Sequence, residues 1–214
     1  NAISKIGSSG SDFISKSMVG EIMASAARST NLIVDATPDR DVKRRLEIAL
    51  GLTAQLAGSL TAICAAWPSS ISMADAIAHS PLSSLAKERE LRNEIARVSS
   101  AFDQLAEGSA IDTHWCDAIS HPSAVILDHA LLADLVIMSM SSASSHAHAD
   151  PLEIAARSGS PVLRLGSGLE TASFEKILIG WKDSREAGCA IRAALPFLQR
   201  AGEVVLAGVG ENVS

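Results

Sequence analysis

Short aliphatic runs alternate along this chain with longer stretches in which apolar residues recur every three or four positions. Continuous runs such as 32–34 and 135–138 are typical of strands buried on both faces of a parallel sheet. The longer stretches have the spacing of amphipathic helices. The pattern predicts strands at 32–34, 60–66, 111–116, 135–138 and 161–165, and helices at 39–56, 82–106, 122–132 and 151–157. Such alternation across short turns predicts parallel pairing through right-handed crossovers.

The first strand, helix and second strand of this pattern recur near the end of the chain. Residues 31–62 read NLIVDATPDRDVKRRLEIALGLTAQLAGSLTA, and residues 176–206 read KILIGWKDSREAGCAIRAALPFLQRAGEVVL. The period of about 145 residues is too long for a solenoid repeat and is close to the size of one domain. The corresponding positions are Leu46, Ala49, Leu50 and Ala57-Gly58 in the first copy, and Ile191, Ala194, Leu195 and Ala201-Gly202 in the second.

The repeat predicts one whole domain followed by the opening of a second. Residues 31–166 are expected to form a complete α/β domain, an open five-stranded parallel sheet with helices on both faces in the Rossmann-like manner. Residues 167–175 are expected to be a linker, and 176–214 a partial second domain with a β-α-β order. Residues 1–30, rich in Ser, Gly and Ala, are interpreted as an N-terminal extension that begins with the remnant of a cleaved tag.

Composition narrows the class of partner. The net charge of −6 and the lack of a Lys/Arg run argue against nucleic acid. No apolar run has the length of about 20 residues that a membrane-spanning helix needs, and the first 30 residues lack the pattern of a secretory signal. We therefore expect a cytoplasmic protein without a membrane partner. Cys64, Cys116 and Cys189 are widely spaced in apolar stretches and are interpreted as small buried hydrophobes.

Several segments together resemble a tandem universal stress protein with a truncated second domain. These are ADLVIMS at 133–139, SGSPVLRL at 158–165, ILIGWKDSREA at 177–187 and ALPFLQRAGEVVL at 194–206. The resemblance covers roughly residues 31–210. It implies a five-stranded α/β domain that pairs through its last strand, so we expect a homo-oligomer, such as a dimer, or pairing of domains within the chain. In many members of the family the carboxyl ends of the strands hold ATP.

The resemblance also implies where a nucleotide would bind. The family has an Asp at the end of the first strand and a glycine-containing phosphate loop after the fourth, since glycines let backbone amides approach the phosphates. Here Asp35 and Thr37 lie near the first position, whereas the segment 139–150 contains no glycine. The candidate binding residues are Asp35, Thr37, Ser139, Ser141, Ser142 and Ser145. Gly7, Gly10 and Gly20 reproduce the spacing of the loop before the first strand, either by chance in an extension or as a loop for an incomplete domain.

Three other groups of residues have an ordinary and a functional interpretation. His146, His148 and Asp150 are potential zinc ligands, but a Ser-rich loop gives them no fixed geometry, so we interpret this segment as a solvated loop and predict no metal site. His114 and Cys116 fall on one face of a strand and are interpreted as packing residues, with a thiolate–imidazole pair as the alternative. Ser184 is expected to cap the helix of the second copy, His121 to start the third helix, and Asp39 to cap the first.

The sequence offers no convergent nucleophile, base and anion donors, so we predict no catalysis. The function indicated is ligand or partner binding in a stress response. The alternative is an ATP-binding sensor or slow ATPase in which serines replace the glycines of the phosphate loop.

Overall fold

In a computed structural model of the chain, the described residues are 30–68, 81–139, 146–169 and 173–208, with the side chains of 81–84 excepted. Their strands and helices alternate throughout. The strands are β1 Asn31–Asp35, β2 Ser59–Ala65, β3 Asp112–Ala118, β4 Leu135–Ser139, β5 Val162–Leu165, β6 Lys176–Trp181 and β7 Glu203–Gly208. The helices are α1 Val42–Leu56, α2 Pro81–Ala106, α3 Pro122–Ala130, α4 Pro151–Ser158 and α5 Arg185–Leu198.

The first five strands form one parallel sheet in the order β3-β2-β1-β4-β5. Successive residues of a strand point to opposite faces of the sheet. Since the central strands carry apolar residues on both faces, both faces are covered by helices. Leu32 and Val34 pack in a cluster with residues of α1 and α2. Ile33 packs on the other face with Ile126 of α3 and Ile154 of α4. The predicted α/β fold, with a five-stranded parallel sheet and helices on both faces, is confirmed.

Several predicted boundaries are shifted. The first helix starts at Val42, two residues later than a helix capped by Asp39 would start, and the third strand runs from Asp112 to Ala118 rather than from 111 to 116. The expected starts of two other helices are confirmed by side-chain contacts. The His121 ring accepts a hydrogen bond from the Ser123 amide, and the Ser184 hydroxyl accepts one from the Ala187 amide.

The repeated unit consists of β6, α5 and β7. Its two strands pair in parallel, as β1 and β2 do. One end of the unit contacts α1: the Phe197 ring lies 4.4 Å from the Phe174 ring, and both pack against the core beside α1. Arg200 Nη2 donates to the Gln55 carbonyl at 2.9 Å. Within the described ranges, none of the helices has the length and apolar character that crossing a bilayer requires.

Candidate functional site

The carboxyl ends of β1 and β4 meet where the strand order of the sheet reverses. The chain runs from β1 outward through β2 to β3, and then returns to β4 on the other side of β1. Val34 is in register with Ile137, which brings Asp35 and Ser139 close together at the ends of these two strands. Open α/β sheets bind ligands in the crevice at such a reversal. A site is therefore expected at this edge of the sheet.

A buried arginine, Arg45, fills the crevice. Its side chain donates from Nε to the Asp35 carbonyl and from Nη1 to the Ser139 hydroxyl. Nη1 also donates to Asp39 Oδ2 at 3.0 Å, and Nη2 donates to the Thr37 carbonyl at 3.0 Å. One guanidinium therefore joins the ends of β1 and β4 to the turn that leads into α1.

The charge of Arg45 is balanced within the crevice. The side chains of Arg45 and Asp39 are only 1% and 3% exposed, so their ion pair is shielded from water. A buried ion pair is tolerated when hydrogen bonds satisfy its remaining polar atoms. Arg45 meets that condition, because it donates four hydrogen bonds. Its main role is to hold the strand ends in place.

The sequence pattern did not single out Arg45, although it carries a usable signal. Arg45 lies four residues before Ala49 and eight before Thr53, and both of those residues are buried on α1. Residues at that spacing share one helix face. A charged residue on an otherwise buried stripe, with two aspartates just upstream, indicates an internal ion pair.

Two candidates at the end of β1 are enclosed. Asp35 is 3% exposed and Thr37 is 0% exposed. The Asp35 carboxylate accepts a hydrogen bond from the Thr37 amide at 2.9 Å, which closes a tight turn. Both contribute their backbone carbonyls to Arg45, and neither lines the open cavity beside the crevice.

The prediction that Asp39 caps the first helix is wrong. Asp41 is the residue that precedes the first turn of α1. Asp39 lies before it, accepts a hydrogen bond from the Asp41 amide at 2.8 Å and pairs with Arg45. The Asp39 carboxylate is buried because it pairs with the Arg45 guanidinium. The preference of Asp for helix starts gives no information about such an ion pair.

A cavity of about 590 Å³ opens beside the crevice, against β4, β5 and the first turns of α4. Small-molecule sites typically have volumes of about 300–1,000 Å³. The lining combines polar and apolar side chains. The polar residues are Ser139, His148, Asp150 and Arg164, and the others are Ala149, Pro151, Leu152, Ala155 and Val162.

Ser139, His148 and Asp150 share this cavity but do not form a catalytic chain of hydrogen bonds. Ser139 Oγ receives a hydrogen bond from Arg45. The Asp150 carboxylate caps α4 by accepting from the Leu152 amide at 2.9 Å. His148 Nε2 is buried and has no hydrogen-bond partner among the described residues. These three side chains are therefore not linked to one another by the hydrogen bonds of the described residues.

His148 is neutral near pH 7. Burial lowers the pKa of this imidazole, and the nearby Arg45 and His146 side chains lower it further, against the opposing effect of Asp39 and Asp35. In the neutral ring one nitrogen donates a hydrogen bond and the other accepts one. Nε2 is therefore a buried, unfilled hydrogen-bonding position, among the described residues, on a side chain that lines the cavity.

The segment after β4 is not a solvated loop at its carboxyl end. His146 is 6% exposed, and its Nε2 lies 2.6 Å from Glu94 Oε2 of α2. The Ala147 amide donates to the Trp67 carbonyl at 2.8 Å, which ties this segment to the residues after β2. The interpretation of this segment as a solvated loop is wrong for His146, because Glu94 on a distant helix supplies its partner, whereas Asp150 is exposed.

Among the described residues, no three His, Cys, Asp or Glu side chains converge as metal ligands. Of the four serines predicted to bind a nucleotide, Ser139 lies within the described residues, at the end of β4. The candidates Ser141, Ser142, Ser145, Gly7, Gly10 and Gly20 lie outside the described residues.

The structure separates His114 from Cys116. His114 is exposed and lies 3.4 Å from Asp112, whereas Cys116 Sγ lies 3.5 Å from His129 Nε2 on α3. The alternative of a pair between His114 and Cys116 is therefore wrong, because the helix over the strand brings a different imidazole to the sulfur.

Comparison with known proteins shows which solved structures share this arrangement of strands and helices. A scan against models of protein families finds no match, and a search of curated proteins finds none either. Among solved structures, the universal stress protein UspA from Lactobacillus plantarum shares 20% identity with a TM-score of 0.50, covering 65% of this chain and 99% of its own. A universal stress protein from Archaeoglobus fulgidus shares 12% identity with a TM-score of 0.59, covering 86% of this chain and 67% of its own.

A third match, a universal stress protein in complex with cAMP, has 18% identity and a TM-score of 0.45, covering 65% of this chain and 98% of its own. At these identities the likeness concerns the fold. The order of strands, the helices on both faces and the matches with TM-scores of 0.50 and 0.59 together show that the chain has the universal stress protein fold.

Proposed function

We propose that this protein acts in a stress response by binding a small ligand in the cavity beside Arg45, without a covalent step. The observation that carries this proposal is the cavity of about 590 Å³ at the carboxyl edge of the sheet. Ligands of open α/β folds bind at this edge. Two of the lining residues, Ser139 and Asp150, are engaged with Arg45 and with the Leu152 amide, which favours binding over catalysis by these groups.

The lining favours a molecule with an apolar ring and an anionic group. Leu152 is 79% exposed beside the cavity, and together with Ala155 and Val162 it offers an apolar wall. Arg164 supplies a positive charge in the same lining. We propose that a polar atom of the ring hydrogen-bonds to His148, which lines the cavity and whose Nε2 has no partner among the described residues.

A second candidate function is an ATP-binding sensor or slow ATPase. It is favoured by the placement of Ser139 and Arg164 in one cavity wall, because a hydroxyl and a guanidinium are ordinary phosphate ligands. In this alternative, Asp35 and Thr37 maintain the turn at the end of β1. The serines that replace the glycines of the family's phosphate loop are Ser141, Ser142 and Ser145. ATP would then bind more tightly than AMP, because its additional phosphates add contacts.

Thermal unfolding with AMP and with MgATP tests both proposals. A ligand at ten times its Kd is expected to raise the Tm by about 4 °C. Ala155→Phe, which fills the cavity, is expected to abolish the shift. Ala156→Phe is the matched control, since Ala156 is an exposed neighbour on α4 outside the lining, and it should keep the shift.

Either nucleotide shifting the Tm equally in both phenylalanine variants would contradict the cavity as the site. A shift with AMP and no tighter binding of MgATP would reject the ATP sensor and leave the first proposal standing.

We also propose that a second copy of the chain covers the repeated unit, with pairing between domains of one chain as the alternative. Parallel strands are normally buried on both faces. Here Leu178 of β6 is 70% exposed, and Val204, Val205 and Leu206 of β7 are 44%, 46% and 47% exposed. The described contacts of this unit with the core beside α1, made by Phe197 and Arg200, lie at one end of the unit, and the exposed residues of β6 and β7 are available to a partner.

Sedimentation equilibrium tests this pairing. We expect a dimer, and we expect Leu178→Arg to weaken dimerisation by about tenfold or more, because it places a charge in the centre of an apolar contact. Leu131→Arg is the control, because Leu131 is 66% exposed on the five-stranded unit. A monomer at high micromolar concentration, or an equal effect of both variants, would contradict the dimer.

A further inference from the structure

A cysteine and a histidine meet on the α3 side of the sheet, away from the cavity. Cys116 lies on β3, which is an edge strand of the five-stranded sheet, and it is half-buried. Its sulfur lies 3.5 Å from Nε2 of His129, on α3. The pair is therefore within hydrogen-bonding distance for sulfur and borders the solvent.

The backbone of α3 fixes the orientation and tautomer of the His129 ring. Nδ1 lies 2.9 Å from the Val125 carbonyl oxygen, one helical turn earlier. A carbonyl oxygen only accepts hydrogen bonds, so Nδ1 carries a proton. In the neutral ring, Nε2 then directs its lone pair at the Cys116 thiol. This is the arrangement of a nucleophile, a base and a group that orients the base.

We propose that the Cys116–His129 pair makes Cys116 a modification site for small carbon electrophiles. The Sγ–H proton moves to His129 Nε2, and the thiolate sulfur forms a bond to the electrophilic carbon. With iodoacetamide the carbon–iodine bond breaks, iodide leaves with the electron pair, and His129 passes its proton to water. No oxidant or metal takes part in this reaction.

The other two cysteines serve as internal references. Cys64 is 0% exposed, and burial raises the pKa of its thiol well above the usual range, with the Asp35 and Asp117 charges acting in the same direction. Cys64 is therefore expected to stay unmodified. Cys189 is exposed on α5, where Arg192 Nη2 lies 3.4 Å from its sulfur. Its reaction rate reports any general change in conditions.

The test is a time course of iodoacetamide labelling near pH 7, resolved for each cysteine by peptide mass spectrometry. His129→Gln is expected to slow labelling of Cys116 by about tenfold, because the thiol loses the base that removes its proton. The rate at Cys189 is expected to remain unchanged. His114→Gln is the matched control, because His114 lies two residues from Cys116 on the same strand and does not contact its sulfur.

An equal Cys116 rate in the wild type and in His129→Gln would overturn the proposal, as would an equal slowing in His114→Gln. If His129→Gln does not fold, nitrogen NMR of the wild-type ring gives an independent answer. The proposal requires that Nδ1 carry the proton in the neutral ring. Finding the proton on Nε2 would overturn it.

Discussion

Replacing Arg45 by methionine is expected to lower the free energy of unfolding by about 3–5 kcal/mol. The variant keeps an apolar chain in the crevice but leaves the Asp39 carboxylate, whose side chain is 3% exposed, without its buried partner. The carbonyls of Asp35 and Thr37 also lose their donors. Unsatisfied buried polar groups are costly because they have given up water without gaining a new partner. Equilibrium urea unfolding measures the loss.

Two further variants test whether the loss of stability comes from the unpaired buried groups rather than from the removal of an arginine as such. Adding Asp39→Asn to Arg45→Met is expected to recover part of the loss, since it removes the uncompensated charge and retains an acceptor for the Asp41 amide. Arg92→Ala breaks an exposed pair with Glu88 and is expected to change stability by no more than about 0.5 kcal/mol. A loss below about 1 kcal/mol in Arg45→Met would show that the crevice does not depend on this guanidinium.

The second large effect is expected at Gly58, where alanine should destabilise the protein by about 3 kcal/mol. A Cβ at this position would lie 2.3 Å from the Thr30 carbonyl oxygen and 2.9 Å from Leu32 Cδ1. The Thr30 oxygen cannot easily move aside, because it is backbone and accepts a hydrogen bond from the Ser59 amide at 3.0 Å. The variant must shift the start of β2 relative to β1. Urea unfolding again provides the measurement.

The repeat supplies its own control for Gly58. Gly202 occupies the equivalent place in the second copy, yet a Cβ there would meet its nearest atom, the Glu175 carbonyl oxygen, at an ordinary 3.5 Å. Gly202→Ala is therefore expected to be tolerated within about 0.5 kcal/mol. Equal destabilisation by the two substitutions would mean that both glycines act through backbone conformation rather than through close approach.

This pair shows what the repeat predicts and what it does not. The alternation of apolar runs and helical stretches was sufficient to predict the parallel sheet, and the Ala-Gly ending correctly marked where α1 stops. The residue that takes the left-handed cap conformation is nevertheless Ala57, with a φ of 51°. Gly58 is needed because the backbone of Thr30 and the side chain of Leu32 leave no room for a Cβ. This close approach depends on how β1 packs beside the start of β2, which the sequence motif does not specify.

The candidate site was less predictable because its organising contacts join residues far apart in sequence. Arg45 contacts Ser139, which lies 94 residues later in the sequence. The turn beside that guanidinium is closed by the hydrogen bond from the Thr37 amide to the Asp35 carboxylate. His129 reaches Cys116 from the following helix, whereas strand alternation suggested His114. Residue type and spacing predicted candidate residues near the carboxyl ends of β1 and β4, and that prediction of a binding site stays a prediction. The partners of each group depended on how helices pack over that edge.

We propose that the cavity beside Arg45 is the ligand site. The most direct test of this proposal is a two-dimensional amide NMR titration of the intact chain with AMP, followed residue by residue. We expect the signals of Ser139, His148, Leu152 and Arg164 to move together and saturate, while those of β6 and β7 stay in place. Saturating changes centred on another surface, or no changes at millimolar AMP in a well-folded sample, would contradict it.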